Sequence, residues 1–163
     1  MPKSAENQGV IKVLFVCHGN ICRSPMAEFI FRDIVRRERL DWAIEVLSAG
    51  TSSEELGCPV YPEAKAYLRR LGIDPGVKRA RVITYEDFDE CDLIVAMERY
   101  NVRNLARVCP HGDMAKVKLL LDFTDKPGDI EDPWYSGNFD RVGDQIHRGC
   151  EGLLRYIRES YKL

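Results

Sequence analysis

The sequence predicts an α/β fold: one domain of three layers, a central parallel sheet of four strands with helices on both faces. Three observations predict it. Short apolar runs alternate along the chain with longer segments whose apolar positions recur at helical spacing. The runs lack the in–out alternation of a half-exposed strand, as expected where both faces of a sheet are covered. The 163 residues, 45% hydrophobic and 31% charged, suffice for one core, and no repeat, low-complexity tract or linker divides them.

The stretch 10–16 is broken only by Lys12 and reads as the first strand. The polar residues before it, 1–9, read as a frayed tail without the apolar stretch of an export signal, which leaves 10–163 as the domain. After Ser24-Pro25, the positions Met26, Phe29, Ile30 and Ile34 recur at helical spacing, and Pro25 suits a first turn, where its missing N–H costs nothing. A second strand is expected over 44–47, then a loop, SAGTS, at 48–52. Helix follows over 62–71 with Gly72 as its stop, and a short helix near 85–88. The run DLIVAM at 92–97 is a third buried strand, 99–107 a helix and 117–121 a fourth strand. A loop rich in Asp, Pro and Gly spans 122–137. The last segment, 139–161, carries Val142, Ile146, Cys150, Leu153, Leu154 and Ile157 on one stripe and is a long amphipathic helix. In such sheets ligands bind beyond the carboxyl ends of the strands.

Charge and cysteine usage narrow the function. A formal net charge of -2 supplies no basic field for nucleic acid. No apolar run reaches the roughly 18 residues of a membrane span. With no export signal, the six cysteines are expected as reduced thiols in a cytoplasm rather than as a disulfide framework. Their spacings do not cluster with the three histidines as a structural zinc site would. Cys58, Cys91, Cys109 and Cys150 read as small buried hydrophobes.

Cys17 is different. It closes the first strand in VLFVCHGNICRSP and is followed six residues later by Arg23, at the start of a helix. A strand-to-helix turn leaves the first helical N–H groups unpartnered, and with the helix dipole they make a site for phosphate or a similar oxyanion. Gly19 and Asn20 accept the unusual backbone angles that turn consecutive N–H groups inward. Arg23 adds a planar fork for two phosphoryl oxygens. A thiolate at the mouth of that nest is placed to attack phosphorus.

VCHGNICRSP resembles the V-C-x-G-N-I-C-R-S-P loop of the low-molecular-weight protein tyrosine phosphatases. The similarity extends through SAGTS (48–52), ARVIT (80–84) and EDPWYSG (131–137), and so covers most of the chain, from Lys12 to the last helix. The resemblance implies a flavodoxin-like, Rossmannoid sheet and hydrolysis of phosphotyrosine and small aryl phosphates through a cysteinyl-phosphate. Cys17 is then the nucleophile, Arg23 the phosphate clamp and Asp132 the general acid and base on a mobile loop, with Asp129 and Glu131 as weaker contenders. Pro133 fixes the backbone beside Asp132, and Trp134 and Tyr135 suit the rim of a pocket for an aromatic phosphate. Neither metal nor other cofactor is required, because the nest and Arg23 carry the positive charge. His18, Gly19, Ile21 and Cys22 complete the phosphate loop. Ser24 is expected to donate to the Cys17 sulfur, to serve as a plain N-cap, or to do both, and Asn20 supports the loop's shape. Cys22 matches the position that, in the family, forms a protective disulfide with the nucleophile. The expected partners are phosphotyrosine proteins, with inorganic phosphate or other oxyanions as inhibitors, and the expected assembly is a monomer or weak dimer.

Three departures from the family pattern stand out. Glu54 takes the place of an aromatic pocket wall, and its acidic rim is expected to disfavour acidic phosphopeptides. Lys78 stands where many relatives place a histidine that braces the loop asparagine. Trp134 replaces the first tyrosine of a Tyr-Tyr pair. Competing readings are a protein-arginine phosphatase, against which Ile21 stands where those members carry Thr, and an arsenate reductase, which needs two further neighbouring cysteines. A non-catalytic phosphotyrosine-binding or redox-sensing module is the alternative from another class.

Overall fold

The structure, a computed structural model, describes residues 9–163. Of the expected tail only Gly9 falls within them; 1–8 lie outside the described residues. Four strands, β1 (Ile11–Cys17), β2 (Ile44–Gly50), β3 (Leu93–Ala96) and β4 (Val117–Leu119), pair in parallel in the order β2-β1-β3-β4. The chain crosses to one side of β1 for β2 and to the other for β3, so the crevice of this sheet opens at the carboxyl end of β1. Cys17 is the last residue of that strand.

Alternate residues of β1 feed two cores. Val13, Phe15 and Cys17 join the cluster built with α1 (Arg23–Arg37), α2 (Pro62–Arg70) and α6 (Phe139–Tyr161). Leu14 and Val16 join Phe88 of α3 (Tyr85–Glu90) and Leu105 of α4 (Arg99–Val108) on the other face. The continuous apolar run of β1 follows from this, since both of its faces are covered. Phe15 packs edge-on against Phe31 of α1 at 5.6 Å, and burying rings of this size contributes about 2–3 kcal/mol each. Helix α6 lies close on its neighbours because it carries glycines: a Cβ at Gly152 would come within 2.1 Å of the Phe123 carbonyl oxygen. No helix among the described residues is long and apolar enough to cross a membrane.

The expected elements are present, with three shifts. Ser48, Ala49 and Gly50, expected in a loop, extend β2, because β1 pairs with them through Phe15, Val16 and Cys17. Beyond Leu119 the fourth strand gives way to a 3-10 turn, Leu120–Phe123, whose Leu120 is buried against α6. The loop 122–137 contains one helical turn, α5 (Pro133–Ser136), capped by Asp132. Cys58 is half-buried at the edge of the core rather than inside it, whereas Cys91, Cys109 and Cys150 are buried.

Candidate active site

The turn after β1 is shaped by three of its carbonyls, which are tied to neighbouring segments. Those of Cys17 and His18 accept from Thr51 and Ser52, and that of Ile21 accepts from Tyr61. The 48–52 strand end can lie this close only because residue 50 is glycine: a Cβ there would stand 2.8 Å from the His18 carbonyl oxygen. Asn20 adopts φ 59°, a left-handed conformation that Asn tolerates better than most residues. Among the described residues, the N–H groups of Gly19, Ile21, Cys22 and Arg23 donate to no protein acceptor. Successive backbone N–H groups left free at a strand-to-helix turn are the kind of donor set that can hold an oxyanion.

Cys17 Sγ lies at the floor of this nest, 3% exposed as a residue. It meets the Ser24 hydroxyl at 3.0 Å and the Asn20 N–H at 3.3 Å. Hydrogen-bond accounting then fixes the direction of the Ser24 proton. The Asn20 side-chain NH2 donates to Ser24 Oγ (2.8 Å) and to Ser48 Oγ (3.0 Å), while its carbonyl accepts from the Arg81 N–H (3.0 Å). Ser48 in turn donates to the Glu28 carboxylate at 2.5 Å. Ser24 Oγ accepts from Asn20, and toward the thiolate form of Cys17, which can only accept, its own hydrogen points at the sulfur. Ser24 lies in the first turn of α1, whose N-cap is Cys22, so the plain N-cap reading is set aside.

Arg23 is 1% exposed and enters the site from below. Its guanidinium donates to the Ile130 carbonyl at 2.9 Å, faces the Glu98 carboxylate at 3.4 Å and reaches Asp132 Oδ2 at 3.6 Å. A buried cation needs such partners, and they also aim the fork. Asp132 caps α5 by accepting from the Trp134 N–H. The other acids of this segment are engaged elsewhere: Asp129 accepts from the Arg99 N–H at the start of α4, and Glu131 pairs with Arg141 at 3.5 Å. The segment bearing the acid, expected on a mobile loop, is anchored beside it: Ile130 is fully buried and bonded through its N–H to the Met97 carbonyl. Cys22 is buried, and its thiol is pushed far up from its ordinary range by that burial first, then by the charges of Cys17 and Asp132. All six cysteines are free thiols.

Of the residues given a catalytic, phosphate-loop or pocket-wall role in the sequence, all but Asn20 and Ser24 line one cavity of about 90 Å³, joined there by Glu55, while the weaker contenders Asp129 and Glu131 do not. Asn20 and Ser24 are buried beside it. Trp134 stands against Tyr61 at 5.0 Å, and Tyr61 stacks on Phe139 at 5.6 Å, so the aromatic wall rests on α6. Glu54 reaches His18, 3.1 Å from its Nε2. Lys78 does not touch Asn20: it lies one link further out, 3.6 Å from Glu28 and 3.4 Å from the Ser48 carbonyl, and burial lowers its pKa.

Four participants were not assigned from the sequence: Glu98, Ser48, Glu28 and the Ile130 carbonyl. Glu98 had a signal, since it closely follows the apolar run of β3 at the sheet's ligand end. Ser48 lay within SAGTS. Glu28 could be found only as an acid among the buried positions of α1.

A family model, low molecular weight phosphotyrosine protein phosphatase, matches residues 12–163. The low molecular weight protein-tyrosine-phosphatase YfkJ of Bacillus subtilis is 40% identical over 156 residues, 94% of this chain and 100% of its own. Its crystal structure matches with a TM-score of 0.90 over 93% of this chain and 97% of that one. The low molecular weight phosphotyrosine protein phosphatase 2 of Drosophila melanogaster is 39% identical over 151 residues, 90% of this chain and 92% of its own. A structure of the arginine phosphatase YwlE, a cysteine-to-serine mutant with a phosphorylated active site serine, is 27% identical with a TM-score of 0.82, over 93% and 99% of the two chains.

Proposed function

Because the chain belongs to the low molecular weight phosphotyrosine protein phosphatase family, we propose that it hydrolyses phosphotyrosine in proteins with Cys17 as nucleophile, Arg23 as clamp and Asp132 as acid and base. One observation carries the assignment. The Cys17 sulfur receives the Ser24 hydroxyl and the Asn20 N–H beneath a nest of free N–H groups, with Arg23 and Asp132 in the same cavity.

The chemistry follows from that placement. The Cys17 thiolate attacks phosphorus as the bond to the tyrosyl oxygen breaks, forming an S–P bond. The nest N–H groups and Arg23 hold the equatorial oxygens, whose charge grows toward the transition state. Asp132 gives its proton to the departing oxygen and then takes one from the water that attacks the cysteinyl-phosphate. In that second step the sulfur leaves as an anion, and the Ser24 hydroxyl aimed at it eases its departure. His18, Gly19, Ile21 and Cys22 shape the loop, and Trp134, Tyr135 and Glu54 form the wall around the aromatic ring.

Cys22 is held as a neutral thiol by its burial and by the negative charges near it, so it does not compete as nucleophile. Once a peroxide has converted Cys17 to its sulfenic acid, attack by the Cys22 sulfur with loss of water gives a disulfide that shields Cys17 from further oxidation. This role suits a protein of the cytoplasm, acting as a monomer or weak dimer on phosphotyrosine proteins and inhibited by phosphate and similar oxyanions. The arginine-phosphatase reading is weaker, because Ile21 lines the cavity together with the aromatic wall of Trp134 and Tyr135. A panel of matched phosphotyrosine, phosphoserine and phosphoarginine peptides tests the assignment. Turnover confined to phosphotyrosine, and lost in Cys17→Ser, is expected; preference for phosphoarginine, or an active Cys17→Ser protein, overturns it.

A further inference from the structure

We propose that Glu54, held in place by His18, is a specificity-determining residue that favours phosphotyrosines with a lysine or arginine next to them in the substrate chain. The inference rests on the phosphotyrosine reading above and adds the character of the flanking sequence.

The catalytic cavity does not end at its mouth. It shares His18, Glu54, Asp132 and Tyr135 with an open groove of about 720 Å³ that continues past Glu98 and Tyr100. A peptide with its phosphorylated ring in the cavity therefore has room for its neighbouring residues in the groove. Among the described residues, no lysine or arginine lines that groove. Its carboxylates differ in how they are engaged. Glu98 and Asp132 face Arg23 at 3.4 and 3.6 Å, and Glu131 faces Arg141 at 3.5 Å. Among the described residues Glu54 pairs only with His18, and its side chain is 71% exposed, against 22% for Glu98 and 26% for Asp132. It is the carboxylate that a long, flexible cationic side chain can reach.

His18 contributes geometry. A carboxylate can only accept, so the His18 nitrogen facing Glu54 at 3.1 Å, Nε2, carries a hydrogen. The other ring nitrogen, Nδ1, is buried with no partner. The imidazole also lies beside the Tyr100 ring, 6.2 Å between centroids and tilted by 30°. The carboxylate is thus held at the boundary of cavity and groove rather than swinging free. With a neutral imidazole the pair keeps a full negative charge there. An acidic neighbour of the phosphotyrosine meets like charge, and a basic one finds a counterion.

The test uses three matched phosphotyrosine peptides, flanked by lysine, alanine or glutamate, and a small aryl phosphate without flanks. The quantity read is the ratio of kcat/KM for the lysine and glutamate peptides within each protein, which cancels any change common to all substrates. The wild-type ratio is expected on the order of five- to tenfold at low salt, the scale of one exposed attraction plus one repulsion, and to shrink as salt rises. Glu54→Gln should bring it near one, and Glu54→Lys should invert it. A wild-type ratio near one, or a preference that persists in Glu54→Gln, overturns the proposal while aryl phosphate and peptides are still turned over. Absence of turnover on every one of these substrates instead overturns the phosphotyrosine reading beneath it.

Discussion

The floor of the site and its rim are built in opposite ways. On the floor, Cys17, Asn20, Arg23 and Ser24 are each 3% exposed or less, and the side chains of Asn20 and Arg23 are tied to fixed partners. On the rim, Trp134 is 53% and Tyr135 86% exposed, and among the described residues Glu54 has a single polar side-chain contact, to His18. The floor is an extension of the core, and the rim is surface. The groups proposed to hold the phosphate are therefore fixed by the core around them. The groups proposed to meet the rest of the substrate are exposed, so changes there are expected to cost the fold little.

Mutations can break this distinction or sharpen it. The largest effect is expected from Cys17→Ser, which should lower kcat on the order of 10⁴-fold or more while leaving the thermal midpoint nearly unchanged; steady-state kinetics and a melting curve check both. Asn20→Ala comes next. It strands the Ser48 and Ser24 oxygens and the Arg81 N–H inside the protein, and should cost about 2–4 kcal/mol in denaturant unfolding as well as activity. If it proves no less stable than Trp134→Ala, floor and rim are not built differently after all.

The link behind Asn20 should be asymmetric. Glu28→Gln leaves Lys78 beside Arg32 and Arg81 with no acid between them, and is expected to cost about 2–3 kcal/mol. Lys78→Met should stay within about 1 kcal/mol, because Glu28 keeps Arg32 at 2.6 Å and burial already disfavours the lysine's charge. A costlier Lys78→Met would make Lys78, not Arg32, the cation that holds the relay. On the rim, Trp134→Ala should raise KM for an aryl phosphate roughly three- to tenfold, with kcat much less affected, since only ring contact is lost.

The smallest effect lies further out. Burial works to raise the Asp87 pKa, but the Arg81 guanidinium and the Thr84 N–H and hydroxyl overcome it and leave the pKa lowered. A carboxyl with a depressed folded pKa adds stability that is present above its unfolded pKa and lost as pH falls through the folded one. Asp87→Asn should therefore cost about 1 kcal/mol at neutral pH through the lost pair and helix cap, with the difference from wild type fading below about pH 4. A difference that does not fade would mean that the charge is not what stabilises.

Much of the floor was legible because it is local. Cys17, Gly19, Asn20, Arg23 and Ser24 fall within eight consecutive residues, so their spacing already implied a strand, a turn with a left-handed residue and a helix start. The rim acid was legible through its neighbours, with Pro133 and two aromatics marking Asp132. The end of β2 was misread because Ser48 and Gly50 look like loop residues. Only pairing with Phe15 and Cys17 of β1 makes them strand. Lys78 is legible as a departure from the family pattern, but that it faces Glu28 and the Ser48 carbonyl rather than Asn20 is not.

The sequence by itself determined the order of strands and helices, the thiol at the end of the first strand and the arginine and acid that accompany it. Nearest-neighbour geometry and hydrophobic periodicity decide those features. Only the tertiary structure decided that Ile130 and Glu98 would hold Arg23, that Ser48 and Glu28 would turn the Ser24 proton toward the sulfur, and that Glu54 would fall to His18. Those partners lie 20 to 107 residues apart in the chain. They meet because parallel pairing and the crossovers bring the carboxyl ends of β1, β2 and β3 together, a consequence of register that no local pattern encodes.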